Sequence, residues 1–179
     1  EPNGPGTKFN LASVGKLFTA VSILQLVQAG QISLEAPVGR YLPDYPNSAV
    51  RDSVTVRHLL NHASGLDDFF TEAFEAASKD RFRNPSDFLP LFAGKPLLFT
   101  PGTDDRYSNA GFLVLGLIVE RVSGASYFDY VAKHIFEPAG MTGAGFAEAD
   151  LPSPHLATGY FPAKGRPGRW QSNLFQHVV

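Results

Sequence analysis

The stretch from Ser13 to Ala29 leaves a folding chain few options, because almost all of its large side chains are apolar. They occur at every angle around a helix: Leu17, Phe18, Val21, Ile23, Leu24, Leu26 and Val27. A helix that is apolar all round is normally a buried one, and Gly30 provides a residue at which it can end. We therefore expect a helix that is buried on most sides. Lys16, the one charged residue between Lys8 and Glu35, lies inside it.

Apolar periodicity and capping residues predict five further helices, over residues 56–62, 67–81, 87–92, 110–122 and 127–136. The N-caps are expected at Thr55, Ser86 and Ser126. In the helix over 67–81, the side chains expected to face a core are Phe69, Phe70, Phe74 and Ala77. Residues 34–54 contain three prolines and predict an extended loop. No element is assigned beyond Gly143, so the expectation is six helices and almost no strand.

Composition excludes several classes of protein. The 179 residues suit a single domain, and a net charge of -2 without a basic run argues against nucleic-acid binding. The absence of cysteine excludes a disulfide framework, a cysteine-ligated zinc site and a thiol nucleophile. The longest apolar run, residues 112–119, is far shorter than the ~18 to 20 residues of a membrane span. No membrane span is therefore predicted.

The only methionine is Met141, and the chain begins Glu1-Pro2-Asn3. We therefore expect either that a leader has been removed or that these residues belong to a longer polypeptide. The first residues contain no charged and apolar leader pattern from which secretion could be judged.

The first candidate site is Ser13-Val14-Gly15-Lys16. Residues i and i+3 share one face of a helix, so Lys16 can reach the Ser13 hydroxyl from one turn away. A helix N-terminus also directs free N–H groups and partial positive charge at whatever reacts there, and a serine hydroxyl is a weak nucleophile without such help. The alternative is a helix-capping serine beside a surface lysine. Against it, a lysine in an otherwise apolar helix needs a partner or a task.

The second candidate site is Tyr107-Ser108-Asn109, which follows the Pro101-Gly102 turn and precedes an apolar helix. Residues two apart on an extended segment point the same way, so Tyr107 and Asn109 can act at one place. Tyr107 could exchange a proton with the nucleophile, and Asn109 could bind a substrate amide or hold Lys16. The alternative is a packed tyrosine followed by an asparagine at the helix N-cap.

Taken together, SVGK at 13–16 and YSN at 107–109 resemble the motifs of the penicillin-recognising serine hydrolases. The resemblance is greatest to the branch of class C β-lactamases, DD-peptidases and esterases, which has Y-x-N where class A has S-D-N. The flanking text is similar too: TKFNLASVGKLFTAVSILQLVQAGQISLEAPVGRYLP, VTVRHLLNHASGL and FTPGTDDRYSNAGFLVLGLIVERVSGASYFDYVAKHIFEPAGM. These stretches cover just over half of the chain. The resemblance implies an α+β fold of the β-lactamase/transpeptidase type.

The resemblance also implies a role for each matched residue. Ser13 would accept the acyl group, and its backbone N–H would form half of the oxyanion hole. Lys16 would lower the proton affinity of Ser13, while Tyr107 would act as general base and later as general acid. Asn109 would orient the substrate and Lys16. The resemblance implies no metal and no cofactor, a small acyl substrate as partner, and favours a periplasmic or secreted location.

One departure from the family pattern concerns completeness. The third motif, a Lys/His-Thr/Ser-Gly triplet on the strand that carries the second oxyanion N–H, is absent, and Ala157-Thr158-Gly159 comes too early to replace it. The strands that usually precede the S-x-x-K helix are absent too. We therefore expect residues 1–179 to be one incomplete domain, mostly its helical part, with most of the antiparallel sheet missing. A complementing segment of the same polypeptide would supply the rest.

Two pairs of residues could suggest other chemistry. His58 and His62 have a spacing that suits metal binding, but no third ligand is evident, and His62 is expected to hydrogen-bond locally at the end of its helix. Asp67-Asp68 and Asp104-Asp105 could act as acid and base. Adjacent aspartates in loops are more often turn formers or caps, and we expect that here.

Ser64 could belong to a Ser-His-Asp triad, but the G-x-S-x-G sequence of such enzymes is absent. A small basic cluster is expected to be an exposed loop: Lys164, Arg166 and Arg169, beside Trp170. The favoured function is a serine hydrolase that works through an acyl-enzyme on Ser13 with β-lactam, ester or D-Ala peptide substrates. The alternative is a non-catalytic scaffold or binding fragment similar to penicillin-binding proteins.

Overall fold

The computed structural model describes residues 2–148, 151, 153–166 and 168–172. The elements are α1 Lys16–Gln28, α2 Ser48–Ser53, α3 Val56–Leu60, α4 Glu72–Ala76, α5 Leu89–Phe92, α6 Asn109–Ser123, α7 Tyr127–Val131, β1 Tyr160–Pro162 and β2 Trp170–Ser172. Short 3-10 turns cover Ala12–Gly15, Val38–Arg40, Lys79–Arg81 and Pro85–Phe88. Helix α7 continues as a wider π-helical turn over Ala132–Phe136. The regular secondary structure of the described chain is thus predominantly helical, as the sequence predicts.

Helix α6 lies at the centre of the core because its sequence is apolar over almost its whole length. Ser108 caps it by accepting a hydrogen bond from the Gly111 N–H at 3.2 Å, and Gly124 ends it in the left-handed conformation that glycine adopts readily. Helices α1, α3 and α7 pack against it. Its buried residues are Ala110, Gly111, Val114, Leu115, Gly116, Ile118 and Val119. This helix is therefore the support on which the other elements are positioned.

A cluster of phenylalanine rings extends this core, and it departs from the predicted helix over 67–81. Only Glu72–Ala76 is helical, capped by Thr71. Phe69 packs before the helix and Phe74 within it, and neighbouring rings of the cluster have centroids 4.8 to 5.2 Å apart: Phe69, Phe74, Phe82 and Phe88. Phe70, which was expected to face the core, is 47% exposed. Only Phe74 of the four side chains on the predicted apolar face therefore lies within the helix.

Helix α1 is shorter and less buried than its sequence predicts. It begins at Lys16, after the 3-10 turn, and its buried apolar residues are Ile23 and Leu26. Leu17 is 64% exposed and Leu24 is 50% exposed. The expectation of a helix buried on most sides is therefore wrong for this structure, because the described residues cover only one face of α1.

Helix α2 lies inside the segment 34–54, which the sequence predicts as an extended loop. Asn47 caps it by accepting hydrogen bonds from the N–H groups of Ala49 and Val50. The flanking chain is extended, and the Val38 N–H donates to the Val54 carbonyl at 2.8 Å. The loop prediction is thus wrong over Ser48–Ser53, where a capping asparagine starts a helix after three prolines.

A two-stranded antiparallel sheet follows Gly159, where the sequence predicts no element. Strand β1 pairs with β2 from Tyr160 opposite Ser172 to Pro162 opposite Trp170. The basic cluster lies exposed on the connection between the strands and on β2, as expected: Lys164, Arg166, Arg169 and Trp170. Just upstream, Leu156 forms a parallel bridge with Lys8. The segment 155–157 therefore lies beside the chain that leads to Ser13.

Among the described residues, no single helix combines the length and apolarity needed to cross a membrane. Asn109–Ser123 and Tyr127–Phe136 meet that test only as a pair, with a bend of 78° between them.

Candidate active site

Ser13 and Lys16 lie at the start of α1, one turn apart. Ser13 belongs to the 3-10 turn, and Lys16 is the first residue of the helix, which brings Lys16 Nζ to 3.1 Å from Ser13 Oγ. The residue before the serine, Ala12, has a φ of 45°, in the left-handed region that residues with a Cβ rarely adopt. Its N–H donates to Asn10 Oδ1 at 2.7 Å. The chain therefore enters the helix through a strained turn placed directly before Ser13.

Tyr107 and Asn109 approach the same point from the N-terminus of α6. Tyr107 Oη lies 2.6 Å from Ser13 Oγ, although 94 residues separate them in the sequence. Asn109 Oδ1 accepts a hydrogen bond from Lys16 Nζ at 2.7 Å. An ammonium group only donates, so Lys16 donates to Ser13 Oγ and leaves the serine proton free to point at Tyr107. The structure thus brings all four sequence-predicted residues into one hydrogen-bonded group.

The segment that leads to Tyr107 is held along the turn that follows α3. Three backbone hydrogen bonds of 2.8 to 2.9 Å join the two segments: Leu98 to Gly65, Gly102 to Ala63 and Arg106 to His62. Gly65 has a φ of 74°, and a Cβ there would overlap the Phe99 carbonyl oxygen. Glycine is therefore needed at this position, both for its backbone conformation and for the close approach of the next segment.

The His62 side chain contacts the Tyr107 ring and hydrogen-bonds to the neighbouring residue, Ser108. Its ring lies against Tyr107, with ring centroids 4.5 Å apart, and against Phe112 at 5.1 Å. Its Nδ1 accepts a hydrogen bond from the Ser108 N–H at 3.2 Å. The expected local hydrogen bond at the helix end is made by the His62 N–H, which donates to the Leu59 carbonyl at 3.3 Å, and not by the side chain. His62 itself has a φ of 59°. Burial and the nearby Lys16 charge lower the pKa of His62.

Asp68 is a member of the site that sequence reasoning missed. Its Oδ2 accepts two hydrogen bonds from Asn109, one from the backbone N–H at 3.0 Å and one from Nδ2 at 2.8 Å. Its Oδ1 accepts one from the Phe69 N–H at 2.7 Å, which is the turn-forming role that was expected. One signal was available in the sequence: the Asp67-Asp68 pair is flanked by Leu66 and Phe69, and a carboxylate beside core residues needs a partner.

Opposing influences act on the Tyr107 hydroxyl. Partial burial raises its pKa, but the hydrogen bonds with Lys16 and Ser13 and the positive charge of Lys16 outweigh that effect. The pKa of Tyr107 therefore lies below the ordinary tyrosine value. Because the phenolate is favoured, Tyr107 is a better proton acceptor near neutral pH than an isolated tyrosine.

The competing candidates have other roles in the structure. His58 forms a capping box with Thr55: its Nδ1 accepts from the Thr55 N–H at 3.3 Å, and its own N–H donates to Thr55 Oγ1 at 3.2 Å. Over the described residues, no group of three or more His, Cys, Asp or Glu side chains could hold a metal ion. Asp104 accepts a hydrogen bond from the Asp105 N–H, as a turn former does. Ser64 is buried, and its Oγ accepts from the Leu66 N–H.

Comparison with known proteins shows the family and the fold of this chain. Residues 1–175 match the family described as Beta-lactamase. Penicillin-binding protein 4* of Bacillus subtilis is 38% identical over 135 residues, which are 74% of this chain and 29% of that protein. A penicillin-binding protein from Bacillus halodurans superposes with a TM-score of 0.87 and 40% identity, over 97% of this chain and 52% of that one. A D-stereospecific amidohydrolase from Streptomyces sp. superposes with a TM-score of 0.76 and 27% sequence identity, over 96% of this chain and 54% of that one.

The fold is therefore that of the β-lactamases and penicillin-binding proteins, a fold of serine hydrolases. The chain itself belongs to the β-lactamase family. It spans about a third of the curated relative's length and about half of each of the two solved chains. The predicted mostly helical part of an α+β domain is confirmed. That residues 1–179 are an incomplete domain remains a prediction.

Proposed function

We propose that Ser13 is the nucleophile of a serine hydrolase that passes an acyl group from its substrate to Ser13 Oγ and then to water. The proposal is carried by the contact between Ser13 Oγ and Tyr107 Oη at 2.6 Å, together with the hydrogen bond that Lys16 Nζ donates to Ser13 at 3.1 Å. This pair of contacts directs the serine proton at a base, which is what a hydroxyl nucleophile needs.

Acylation begins when Ser13 Oγ attacks a carbonyl carbon and its proton moves to Tyr107 Oη. The negative charge that develops on the carbonyl oxygen is stabilised by backbone N–H groups, and the resemblance implies that the Ser13 N–H is one of them. Tyr107 then gives the proton to the nitrogen or oxygen of the leaving group as its bond to the carbonyl carbon breaks. In deacylation, a water molecule attacks the ester, Tyr107 takes its proton, and Ser13 recovers the proton.

Lys16 and Asn109 assist these steps without exchanging the proton. The Lys16 charge lies 5.0 Å from the Tyr107 ring centroid and favours the tyrosinate that accepts the serine proton. Asn109 Oδ1 holds Lys16 in place at 2.7 Å. In this assignment Asn109 also presents its amide to the substrate, as the resemblance implies.

The proposed substrates are small acyl compounds: β-lactams, esters or peptides that end in D-Ala. Two observations support this choice. Ser13 and Tyr107 are both exposed, so a substrate carbonyl can reach them from solvent. The relatives include penicillin-binding proteins and a D-stereospecific amidohydrolase, whose names point to β-lactam binding and to amides of D configuration.

The test is acylation of the full-length polypeptide whose reading frame contains this chain. It is incubated with a fluorescent penicillin, a p-nitrophenyl ester and a D-amino-acid amide, and the adduct is located by intact mass and peptide mapping. We expect an adduct on Ser13 that is absent from Ser13→Ala and retained in Ser86→Ala, which changes an exposed serine outside the site. A folded full-length protein that forms no adduct with any of these compounds would overturn the hydrolase proposal and favour the non-catalytic scaffold.

A further inference from the structure

Asp68 and Lys16 contact opposite ends of the Asn109 side-chain amide, and the contact with Asp68 is the one that the sequence did not predict. Its Oδ2 accepts from both the backbone N–H and the side-chain Nδ2 of Asn109, at 3.0 and 2.8 Å. Asp68 touches neither Ser13 nor Tyr107 by any hydrogen bond in the described chain. Its influence on the reaction must therefore pass through Asn109 or through its charge.

The hydrogen bonds on the two sides determine the orientation of the Asn109 amide. A carboxylate only accepts and an ammonium only donates, so the NH₂ group must face Asp68 and the oxygen must face Lys16. The reversed amide would place its NH₂ against the Lys16 ammonium and its oxygen against the Asp68 carboxylate. Both contacts would then be repulsive. One charged group on each side thus leaves Asn109 a single orientation.

Asp68 is itself held by a neighbouring ion pair. Lys95 Nζ lies 2.8 Å from Asp67 Oδ2 and 3.2 Å from the Asp68 carbonyl oxygen. Asp67 Oδ1 accepts a hydrogen bond from the Asp68 N–H at 2.9 Å. These contacts fix the backbone of Asp68, so that its carboxylate meets Asn109 in a defined position. The Asp68 side chain is half-buried, where hydrogen bonds to a charged group are stronger than in water.

We propose that Asp68 is a positioning residue of the hydrolase: it fixes the Asn109 amide so that its oxygen holds Lys16 against Ser13, and it places a negative charge near Tyr107. This inference rests on the proposed acylation of Ser13. Two observations separate it from a purely structural role. Asn109 links Asp68 directly to Lys16, and the Asp68 charge acts on the pKa of Tyr107. That pKa is governed first by burial and by the bonds with Lys16 and Ser13, and the Asp68 carboxylate raises it.

The first test measures Ser13 acylation in the full-length polypeptide with the variants Asp68→Asn, Asp68→Ala, Asn109→Ala and the double variant Asp68→Ala/Asn109→Ala. Hydrogen bonds to a charged group contribute enough that Asp68→Ala is expected to slow acylation about 10- to 100-fold. In the Asn109→Ala background, the same change should cost less than about threefold, because the interaction it acts through is already lost. An equal loss in both backgrounds would overturn the proposal and leave Asp68 a structural residue.

The second test is the pH dependence of acylation in Asp68→Asn, which keeps the shape of the side chain and removes its charge. The rate of Ser13 acylation is expected to rise with pH as Tyr107 ionises, and we call this rise the limb of the profile. Loss of the Asp68 charge should move the limb to lower pH, because Tyr107 then ionises more easily. Asp44→Asn removes the same charge from an exposed loop and should leave the limb where it is. A limb that stays in place in Asp68→Asn, or moves equally in Asp44→Asn, contradicts the proposed charge effect.

A third measurement does not depend on acylation and so separates failure of this inference from failure of the proposed function. The side-chain NH₂ signals of Asn109 are assigned by NMR from their loss in Asn109→Ala. We expect their hydrogen exchange to be slowed in the unmodified protein and to become at least about tenfold faster in Asp68→Ala. Exchange that is equally fast in both proteins would refute the positioning of Asn109, whether or not Ser13 accepts an acyl group.

Discussion

Ser13 Oγ and Tyr107 Oη lie 2.6 Å apart, and the packing of two helices produces this contact. Ser13 precedes α1 and Tyr107 precedes α6, and these helices pack against each other. Helix α1 is also tied to α7, since Thr19 Oγ1 lies 2.7 Å from Tyr127 Oη. The distance between these two oxygens therefore depends on the helical core, whose buried side chains fix how the N-termini of α1 and α6 meet.

The pH dependence of acylation tests Tyr107 as the base. Its pKa is lowered, so the rate of Ser13 acylation should rise with pH and level off with a midpoint below the ordinary tyrosine value of 10.0. Tyr107→Phe should remove this limb and slow acylation about 10²- to 10⁴-fold. Tyr160→Phe, which changes an exposed tyrosine on β1, serves as control. A Tyr107→Phe protein with an unchanged limb would show that another group is the base.

Replacing Lys16 should shift the rise of the acylation rate with pH in the direction opposite to the shift expected for Asp68→Asn. The Lys16 charge and hydrogen bond both lower the pKa of Tyr107, so Lys16→Ala should move the limb to higher pH and slow acylation at neutral pH. Lys133→Ala removes a charge from an exposed position and should change neither. The measurement is the acylation rate of the full-length polypeptide across pH. A limb that moves to lower pH in Lys16→Ala would contradict the assignment.

His62 should make folding stability depend on pH. Its pKa in the folded chain lies below the ordinary value of 6.5, so the unfolded chain binds the proton more readily. Its contribution should be complete above about pH 6.5 and be lost as the pH falls through the folded pKa. Urea unfolding measured from about pH 8 to about pH 5 should show this loss. Asparagine tolerates the left-handed backbone, so His62→Asn should make the free energy of unfolding less dependent on pH in that range. An unchanged slope would contradict the prediction.

Asp67 should also make folding stability depend on pH, but in a more acidic range than His62. The hydrogen bond from Lys95 is the largest influence that lowers the pKa of Asp67. Its contribution is present above about pH 4 and is lost as the pH falls further, through the folded pKa. Asp67→Asn should therefore lower the free energy of unfolding by a constant amount above about pH 4, and this difference should disappear as the pH falls further. The slope through the His62 range should be the same in both proteins, and a difference that persists at lower pH would contradict the prediction.

Gly65→Ala and Gly30→Ala form a matched pair. Both glycines have a φ above 70°, but a Cβ at Gly30 would meet nothing within 4 Å, whereas one at Gly65 would overlap the Phe99 carbonyl oxygen. Gly30→Ala should cost about 1 kcal/mol for its backbone conformation. Gly65→Ala should cost about 1 to 3 kcal/mol more because a rigid backbone contact must move. Urea unfolding of both variants measures the difference. Equal losses in the free energy of unfolding would show that the backbone at Phe99 can move away from the added Cβ at little cost.

Residues 1–179 alone should acylate more slowly than the full-length polypeptide. The sequence contains no Lys/His-Thr/Ser-Gly triplet, whose strand would provide the second oxyanion N–H, and loss of one such donor costs about 10²- to 10³-fold. Acylation of Ser13 is therefore compared between the two proteins under identical conditions, with Ser13→Ala as the blank. Equal rates would contradict the prediction that this chain is an incomplete domain.

Local patterns were sufficient at most of the predicted helix caps. The exception is Ser86, which lies inside the 3-10 turn Pro85–Phe88, whose N-cap is Asn84. Ser126 and Gly124 behave as predicted because a cap and its helix are neighbours in sequence. The burial of α1 was mispredicted for the opposite reason. Its apolar residues call for cover on several sides, but whether a side chain is covered depends on which other elements are present. In the described chain only the face with Ile23 and Leu26 is covered.

The site shows the same division. The sequence by itself determined that Ser13 and Lys16 meet, because three residues make one helical turn, and the family motifs singled out Tyr107 and Asn109. Only the tertiary structure decided that Asp68 and His62 lie beside them. Their partners Asn109 and Ser108 lie 41 and 46 residues away, and no local periodicity records such a distance. Those contacts exist because the packed core brings the turn after α3 against the start of α6.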